Sequence, residues 1–443
     1  MLMTNQVQNP TLESLDEQKL NRLHWRMVIT AGTGFFTDAY DLFVIGVVTA
    51  LLMPLWHLSA SQIALLNGAS LASAAVGAVM FGWFADKFGR KKMYGIEVLI
   101  LFIGALLSAV SPSFAWLLVS RIIVGIGIGG DYPTSAVVAS EYANRKNRGF
   151  LVLLVFAMQA VGLIIGPLFA SLLMAFHLPH ALVWRLLLAF GALPAASVFY
   201  LRRRIAETPR FLLNKSPVEV SRVVSDLAGH SDTAVATPVQ KLFSPKWLKC
   251  LIGTAGAWFL LDIALYGNGV SSVLIMKAIS PHASLLKHTL LSALIFLCFA
   301  VPGYFFAATY VDKIGRKTLQ IAGFVMMGLC YLLIAGIPHI SDQLPLFVGI
   351  FGISFFFINF GPNATTFLIP SEIYPIHLRA RAHGLSAAVG KAGAFIGAFF
   401  LPLLLKNMGL AYTMAVVAIA SFLGIFATFL VPEMKGVSLE KPQ

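Results

Sequence analysis

The sequence predicts an all-α integral membrane protein whose twelve transmembrane helices form two six-helix, pseudo-symmetric bundles. Three observations lead there. Hydrophobic residues make up 58% of the 443 and charged residues only 12%, with a mean hydropathy of +0.82, a balance foreign to water-soluble domains of this size. Apolar runs of about 20 residues, the length that crosses a hydrocarbon core, recur along nearly the whole chain. A short charged motif from the first half also returns in the second.

The runs place helices at 26–54, 61–85, 93–110, 114–138, 149–174, 182–201, 247–277, 286–309, 319–337, 345–369, 382–404 and 409–431. Several are long enough to tilt or bend. The first 25 residues are polar and lack the basic start, apolar centre and small-residue cleavage site of a secretory signal, so the helices themselves are expected to direct insertion. Cys250, Cys298 and Cys330 stand apart, with no CxxC or Cys/His spacing. They read as packing residues, and no disulfide, metal or cofactor is expected.

The net charge of +13 raises the question of a nucleic-acid partner, and the placement of the charges answers it. With both termini in the cytoplasm, the cations fall overwhelmingly on one side: Lys87, Arg90, Lys91 and Lys92, then Arg145, Lys146 and Arg148, then Arg202, Arg203 and Arg204, then Lys313, Arg316 and Lys317, then Arg379 and Arg381. The opposite loops hold Lys277, Lys287 and Lys406. This is the positive-inside pattern of a multi-pass plasma-membrane protein, so the partner is the lipid bilayer and no nucleic acid is required.

The charged motif supplies the internal repeat. DKFGRKK at Asp86 to Lys92 returns as DKIGRKT at Asp312 to Thr318, an offset of 226 (312 − 86), and Glu207 and Glu433 are separated by the same interval. Two landmarks with one offset divide the chain into an N-terminal segment (1–25), a first six-helix bundle (26–201), a polar linker (202–246), a second bundle (247–431) and a short tail (432–443).

Function must be read from polar groups inside the membrane, where a charge costs roughly 2.5–3.5 kcal/mol and demands a partner or a role. Asp38 and Asp41 lie one helical turn apart in the first helix and can face one cavity. Two neighbouring carboxylates out of bulk water do not both ionise easily, which suits a proton relay; the other reading pairs them with a cation such as Arg121. Asp131 and Tyr132 sit among Gly125, Gly127, Gly129, Gly130 and Pro133 in the fourth helix, where most of the glycines serve close packing. Glu97 and Gln159 interrupt apolar runs, Glu97 near the cytoplasmic end of the third helix. Trp258, Asp262 and Tyr266 stack at i, i+4 and i+8 on one face of the seventh helix. Asn363 follows in the tenth, and Lys391 in the eleventh has no other charge within seven residues on either side. That lysine needs an anion: either a structural carboxylate, Asp262 or Asp38, or an anionic substrate. One cation, several amide, phenol and indole donors and one acid describe a pocket for an oxyanion that carries its own proton. A carboxylate repels sulfate but accepts a hydrogen bond from dihydrogen phosphate.

The two D-K-x-G-R-K loops after the second helix of each half resemble those of the major facilitator superfamily over nearly the whole chain, with Ala308 standing where the family prefers the glycine found at Gly82. The resemblance implies a central site reached alternately from each side, and a cytoplasmic latch at Asp86, Arg90, Asp312 and Arg316. GTGFFTDAYDLF, GGDYP, FAMQ, WFLLDIALYG, NFGPNATTFLIPSEIYP and LSAAVGKAGA narrow it: they are similar to phosphate:proton symporters within that superfamily. That implies phosphate contact by Tyr132, Gln159, Trp258, Asp262, Tyr266, Asn363 and Lys391, proton traffic through Asp38, Asp41, Glu97 and Asp131, and a monomeric carrier with no cofactor. Thr134 after GGDYP, Leu265 before Tyr266 and the short linker depart from the family pattern, and Leu265 and Asn268 can reshape the pocket. Alternatives are a symporter of an organic, aromatic acid and a nutrient receptor without flux, although the tail is short for signalling. An intramembrane enzyme finds no HExxH, GxSxG or His-carboxylate cluster in the helices.

Overall fold

The computed structural model describes residues 19–203, 242–437 and 439. Most of the N-terminal segment, linker residues 204–241 with the Glu207 landmark, and the end of the tail lie outside the described residues. The first half is built from α1 (Arg22–Trp56), α2 (Ala60–Phe88), α3 (Arg90–Ala109), α4 (Phe114–Tyr142), α5 (Arg148–Ala175) and α6 (His180–Arg202). The second half contains α7 (Pro245–Val270), α8 (Ser272–Ile279), α9 (Leu285–Ile295), α10 (Val301–Ile314), α11 (Arg316–Gly336), α12 (Leu344–Phe360), α13 (Pro362–Ile373) and α14 (Ile376–Phe429). A π turn at Phe296–Ala300 joins α9 to α10, just before Pro302, which has no N–H to continue an α-helical ladder.

Among the described residues eleven helices are long and apolar enough to cross a membrane, and the last, Leu378–Phe429, has 52 residues, enough for two crossings. Gly409 divides α14 with φ 79° and ψ 177°, a left-handed conformation open to glycine because it lacks a Cβ. Its two limbs are the eleventh and twelfth spans. Two other expected helices are interrupted: the seventh breaks at Ser271 into α7 and α8, and the tenth breaks at Gly361, immediately before Pro362. Both breaks lie within a few residues of Tyr266 or Asn363. Non-helical backbone at membrane depth is tolerated where it is buried in protein or lines a cavity.

Apolar residues also cover the outside. Ile96, Leu99, Ile103 and Leu106 of α3, and Leu329, Leu332 and Leu333 of α11, are exposed at helical spacing while polar residues are buried within. The arrangement suits hydrocarbon, not water.

The turns differ between the two faces. On the face opposite the basic loops, connections are short and capped: Ser59 and Gln62 make a reciprocal capping box at α2, while Ser113 and Ser284 cap α4 and α9. On the basic face, Gly89 and Gly315, the glycines of the repeated motif, have φ of 104° and 111°. Glu433 then accepts the Arg316 and Lys317 backbone N–H groups, each at 3.0 Å, at the N-terminus of α11. In the second half the two landmarks of the repeat are therefore a motif loop and the carboxylate that caps it.

The halves meet along two seams, α2 on α14 and α5 on α10. In the first seam a Cβ on Gly82 would lie 3.0 Å from the Ala380 carbonyl oxygen and 3.3 Å from the Gly384 Cα, so the backbones touch. At the basic end of this seam Asp86 accepts the Arg381 backbone N–H at 3.0 Å and approaches its guanidinium at 3.6 Å. Asp312 bridges the other seam, accepting the Phe150 backbone N–H at 2.8 Å while pairing with Arg316 at 2.8 Å. Arg316 also binds Glu372 at 2.8 Å, and Arg379 crosses between the halves to Glu141 at 3.6 Å. Of the four expected latch residues, Asp86, Asp312 and Arg316 thus lie in contacts on the basic face; the Arg90 side chain lies outside the described residues.

Candidate functional site

The helices carry the expected substrate residues to the middle of the bundle. Lys391, from the first limb of α14, donates to Asp262 Oδ2 and to the Tyr266 hydroxyl, both at 3.0 Å and both on α7. Its ammonium also lies 4.3 Å and 4.2 Å from the ring centres of Tyr132 and Tyr266. Those two phenols touch at 3.1 Å, and Gln159 donates to Tyr132 at 3.0 Å. Tyr304 of α10 donates to the Gln159 carbonyl at 3.1 Å and accepts from Asn363 at 2.8 Å. Trp258, one turn before Asp262, packs its ring against Tyr132 with centroids 6.0 Å apart. All seven expected contact residues therefore join one network, each 3% exposed or less. Tyr132 and Gln159 come from the first half and the others from the second, so the network spans the interface between halves.

Aromatic layers enclose it. Toward the basic face, Phe35, Phe367 and Trp258 pack against Tyr132, with Phe156 stacked on Phe367 at 4.5 Å. Toward the opposite face, Phe43 stacks on Tyr266 at 5.2 Å and meets Phe296. The site is occluded from both sides.

The expected proton-coupling acids occupy the first half, in two separate places. Asp38, Glu97 and Asp131 line a cavity of about 10 Å³, the scale of one water molecule, together with Gly34, Thr37 and Gly127. Arg202 serves this group: its guanidinium reaches Asp131 at 2.7 Å and Glu97 at 3.1 Å and lies 3.9 Å from the Tyr94 ring centre. Ser135 also donates to Asp131. Asp41 does not line this cavity. Its backbone carbonyl accepts from Arg121 at 2.6 Å and its carboxylate lies 3.4 Å from the same guanidinium, next to Gly191. The shared Asp38/Asp41 cavity read from the sequence is thus corrected: the buried guanidinium turns Asp41 away, the cation pairing that the sequence also allowed.

Two members of the site escaped sequence reasoning. Tyr304 sits in VPGYFF with no charge nearby, so only the fold reveals that it joins Gln159 to Asn363. Arg202 begins a run of three arginines and reads as a loop cation; instead it ends α6 with its side chain 2% exposed. The glycines around Asp131 do pack as expected, Gly125 and Gly129 against α2, Gly127 against α3, and Gly130 between Phe81 of α2 and Glu97 of α3.

The model of a family described as sugar (and other) transporter matches residues 25–443. This chain belongs to that family of the major facilitator superfamily. Its relatives include a probable inorganic phosphate transporter 1-6 from Arabidopsis thaliana, 36% identical with 99% of this chain and 97% of the relative covered. Inorganic phosphate transporter 1-4 of the same plant is 37% identical over 97% of this chain and 95% of its own length. Inorganic phosphate transporter 1-6 of Oryza sativa subsp. japonica is 36% identical over 98% and 95%. Among solved structures, the proton:xylose symporter XylE superposes with a TM-score of 0.75 at 19% identity, covering 94% of this chain and 97% of that one. A partially occluded, inward-open form of the E. coli xylose transporter gives 0.76 at 19%, with 94% and 100% covered. The family shares a multi-pass membrane fold, and these likenesses establish the two-bundle architecture.

Proposed function

We propose that the protein is a proton-coupled carrier that takes up inorganic phosphate, as dihydrogen phosphate, across the plasma membrane by alternating access. The near full-length relatives named as inorganic phosphate transporters support phosphate as the cargo. The observation that carries the reading is the Asp262–Lys391 pair, 3.0 Å apart at the centre of a ring of phenols and amides. Lys391 supplies positive charge, and Tyr132, Tyr266, Tyr304, Gln159 and Asn363 supply neutral donors. Asp262 accepts from a P–OH group, which a fully deprotonated oxyanion lacks.

Phosphate entering the site takes over Lys391 contacts that Asp262 and Tyr266 hold in the occluded structure. Tyr132, whose ring lies 4.3 Å from the Lys391 ammonium, is the chain neighbour of Asp131, so the acid group and the lysine share one helix turn of α4. Proton uptake at the Asp38, Glu97 and Asp131 group therefore removes negative charge that competes with phosphate for the lysine, while Asp41 with Arg121 forms a second acid–base station. Loaded and empty carriers isomerise, and half-loaded ones do not. The first half (α1 to α6) and the second (α7 to α14) rock about the site, and a monomer suffices because one chain supplies every member of the network. The basic loops mark the cytoplasmic face, with both termini on that side.

The test is uptake of radiolabelled phosphate into proteoliposomes under an inward-acid gradient, with sulfate, arsenate and benzoate as competitors. Accumulation inhibited by arsenate alone is expected. Benzoate transport without phosphate uptake would transfer the mechanism to an organic acid.

A further inference from the structure

The buried charges of the first half do not balance among themselves. Around the water-sized cavity stand three carboxyl groups, Asp38 from α1, Glu97 from α3 and Asp131 from α4, but one guanidinium, Arg202 from α6. The other groups facing that guanidinium are neutral: Tyr94 from α3 beneath it and Ser135 from α4, whose hydroxyl lies 3.4 Å from it. Asp41 with Arg121 forms a separate pair of this half at 3.4 Å, with Asp41 Oδ2 left without a hydrogen-bond partner and outside the cavity lining. Arg202 divides its fork unequally. Its Nη2 contacts both Asp131 oxygens, at 2.8 and 2.7 Å, and Nη1 contacts one Glu97 oxygen; the other Glu97 oxygen and Asp38 Oδ2 have no hydrogen-bond partner, and of the three acids Asp38 alone has no contact with the guanidinium.

Packing fixes this arrangement. A Cβ on Gly34 of α1 would run into the Arg202 guanidinium and the Asp131 carboxylate, so only glycine lets α1 close over the pair. Arg202 is also the last residue of α6, on the side from which a proton must leave toward the basic face.

We propose that Arg202 is the positioning residue of the proton site: by anchoring Asp131 and Glu97 it leaves Asp38, which lines the cavity with no contact to that guanidinium, as the carboxyl that takes up and releases the transported proton. The inference rests on the proton-symport reading and adds to it the residue that decides which of three acids is loaded. Arg202 touches no member of the phosphate network, so its effect falls on the pH response and not on phosphate recognition.

The experiment compares wild type, Arg202→Gln, Arg202→Lys and Glu97→Gln in proteoliposomes, measuring net phosphate uptake against external pH and phosphate:phosphate exchange at equal pH on both sides. Removing the cation lets the remaining carboxyls hold protons more tightly, so in Arg202→Gln the external pH of half-maximal uptake moves up by about one unit while exchange persists. Arg202→Lys returns the profile toward wild type. Glu97→Gln, which removes one acid, moves it down and gives the answer should Arg202→Gln not fold. An Arg202→Gln profile superposed on a pH-dependent wild type overturns this inference alone, as does a Glu97→Gln shift in the same direction as Arg202→Gln. A wild type indifferent to pH overturns the symport reading as well.

Discussion

In the proposed carrier, discrimination between anions falls to one buried acid, Asp262. It is paired, 1% exposed, and the carboxylate of a network whose other members are Lys391 and neutral phenol, amide and indole groups, so in the proposed carrier it is the member that disfavours an oxyanion without a proton. Hydrogen bonds to charged groups contribute about 1.5–3 kcal/mol, so Asp262→Asn is expected to raise the phosphate KM roughly 10- to 100-fold and to weaken the preference over sulfate, read by competition in uptake assays. A carrier whose sulfate inhibition stayed at the wild-type level would dismiss this role. Tyr304→Phe removes the hydroxyl linking Gln159 to Asn363; two neutral hydrogen bonds at about 1 kcal/mol each predict a rise in KM of roughly thirtyfold with the pH profile unmoved. Asp38→Asn should do the reverse, flattening the pH profile and abolishing uphill accumulation while exchange continues. At this scale the sequence exposed the lone charges and amides, because each interrupts an apolar run, but their partners depend on tertiary placement. Lys391 visibly needed an anion; that Asp262 supplies it, and that Arg121 claims Asp41, became visible only in the fold.

At the scale of elements, the contacts that close the basic face use backbone N–H groups as well as side chains. Asp86 and Asp312, the first acids of the two repeated loops, each bond a main-chain N–H of the opposite half, at Arg381 and Phe150. Neutralising both, as Asp86→Asn with Asp312→Asn, is expected to lengthen the separation of spin labels at Lys92 and Lys313 and to raise the open fraction on that face several-fold; an unchanged distance distribution would show that the α2–α14 and α5–α10 packing alone holds the face shut. Helix positions were legible because hydrophobic runs of membrane length have few other interpretations. The breaks at Ser271 and Gly361 were not, because glycine and serine in an apolar run serve close packing as readily as a break. Arg202 was misplaced for a related reason: a cation at the end of such a run can snorkel or turn inward, and only the acids on neighbouring helices decide.

Across the whole molecule, the charges buried around the centre set the electrical character of the cycle. Among the described residues they are five acids, Asp38, Asp41, Glu97, Asp131 and Asp262, and three bases, Arg121, Arg202 and Lys391. Were the core of the proposed carrier neutral in both states, it would hold two protons when empty and three with a singly charged phosphate bound, one proton for each phosphate. Transport is then electroneutral: a valinomycin-imposed potential of 100 mV, worth about 2.3 kcal/mol per elementary charge moved, should leave the steady accumulation ratio unchanged at fixed pH gradient. A ratio that grows with the potential would require a second proton. The repeat offset announced the two halves, and residue numbers alone place the four expected proton-coupling acids in the first and the lysine–aspartate pair in the second; that Tyr132 and Gln159 cross to join that pair comes from packing.

The capped turns opposite the basic loops have a practical meaning for anyone handling the protein. Chain reversals such as the one from Trp56 to Ala60, tied down by Ser59 and Gln62, offer little to an antibody fragment or a protease. The basic face, with its exposed lysines, offers more to trypsin. Trypsin added to sealed vesicles should therefore cut mainly the carriers whose basic face points outward, giving a direct count of reconstituted orientation before any flux is measured.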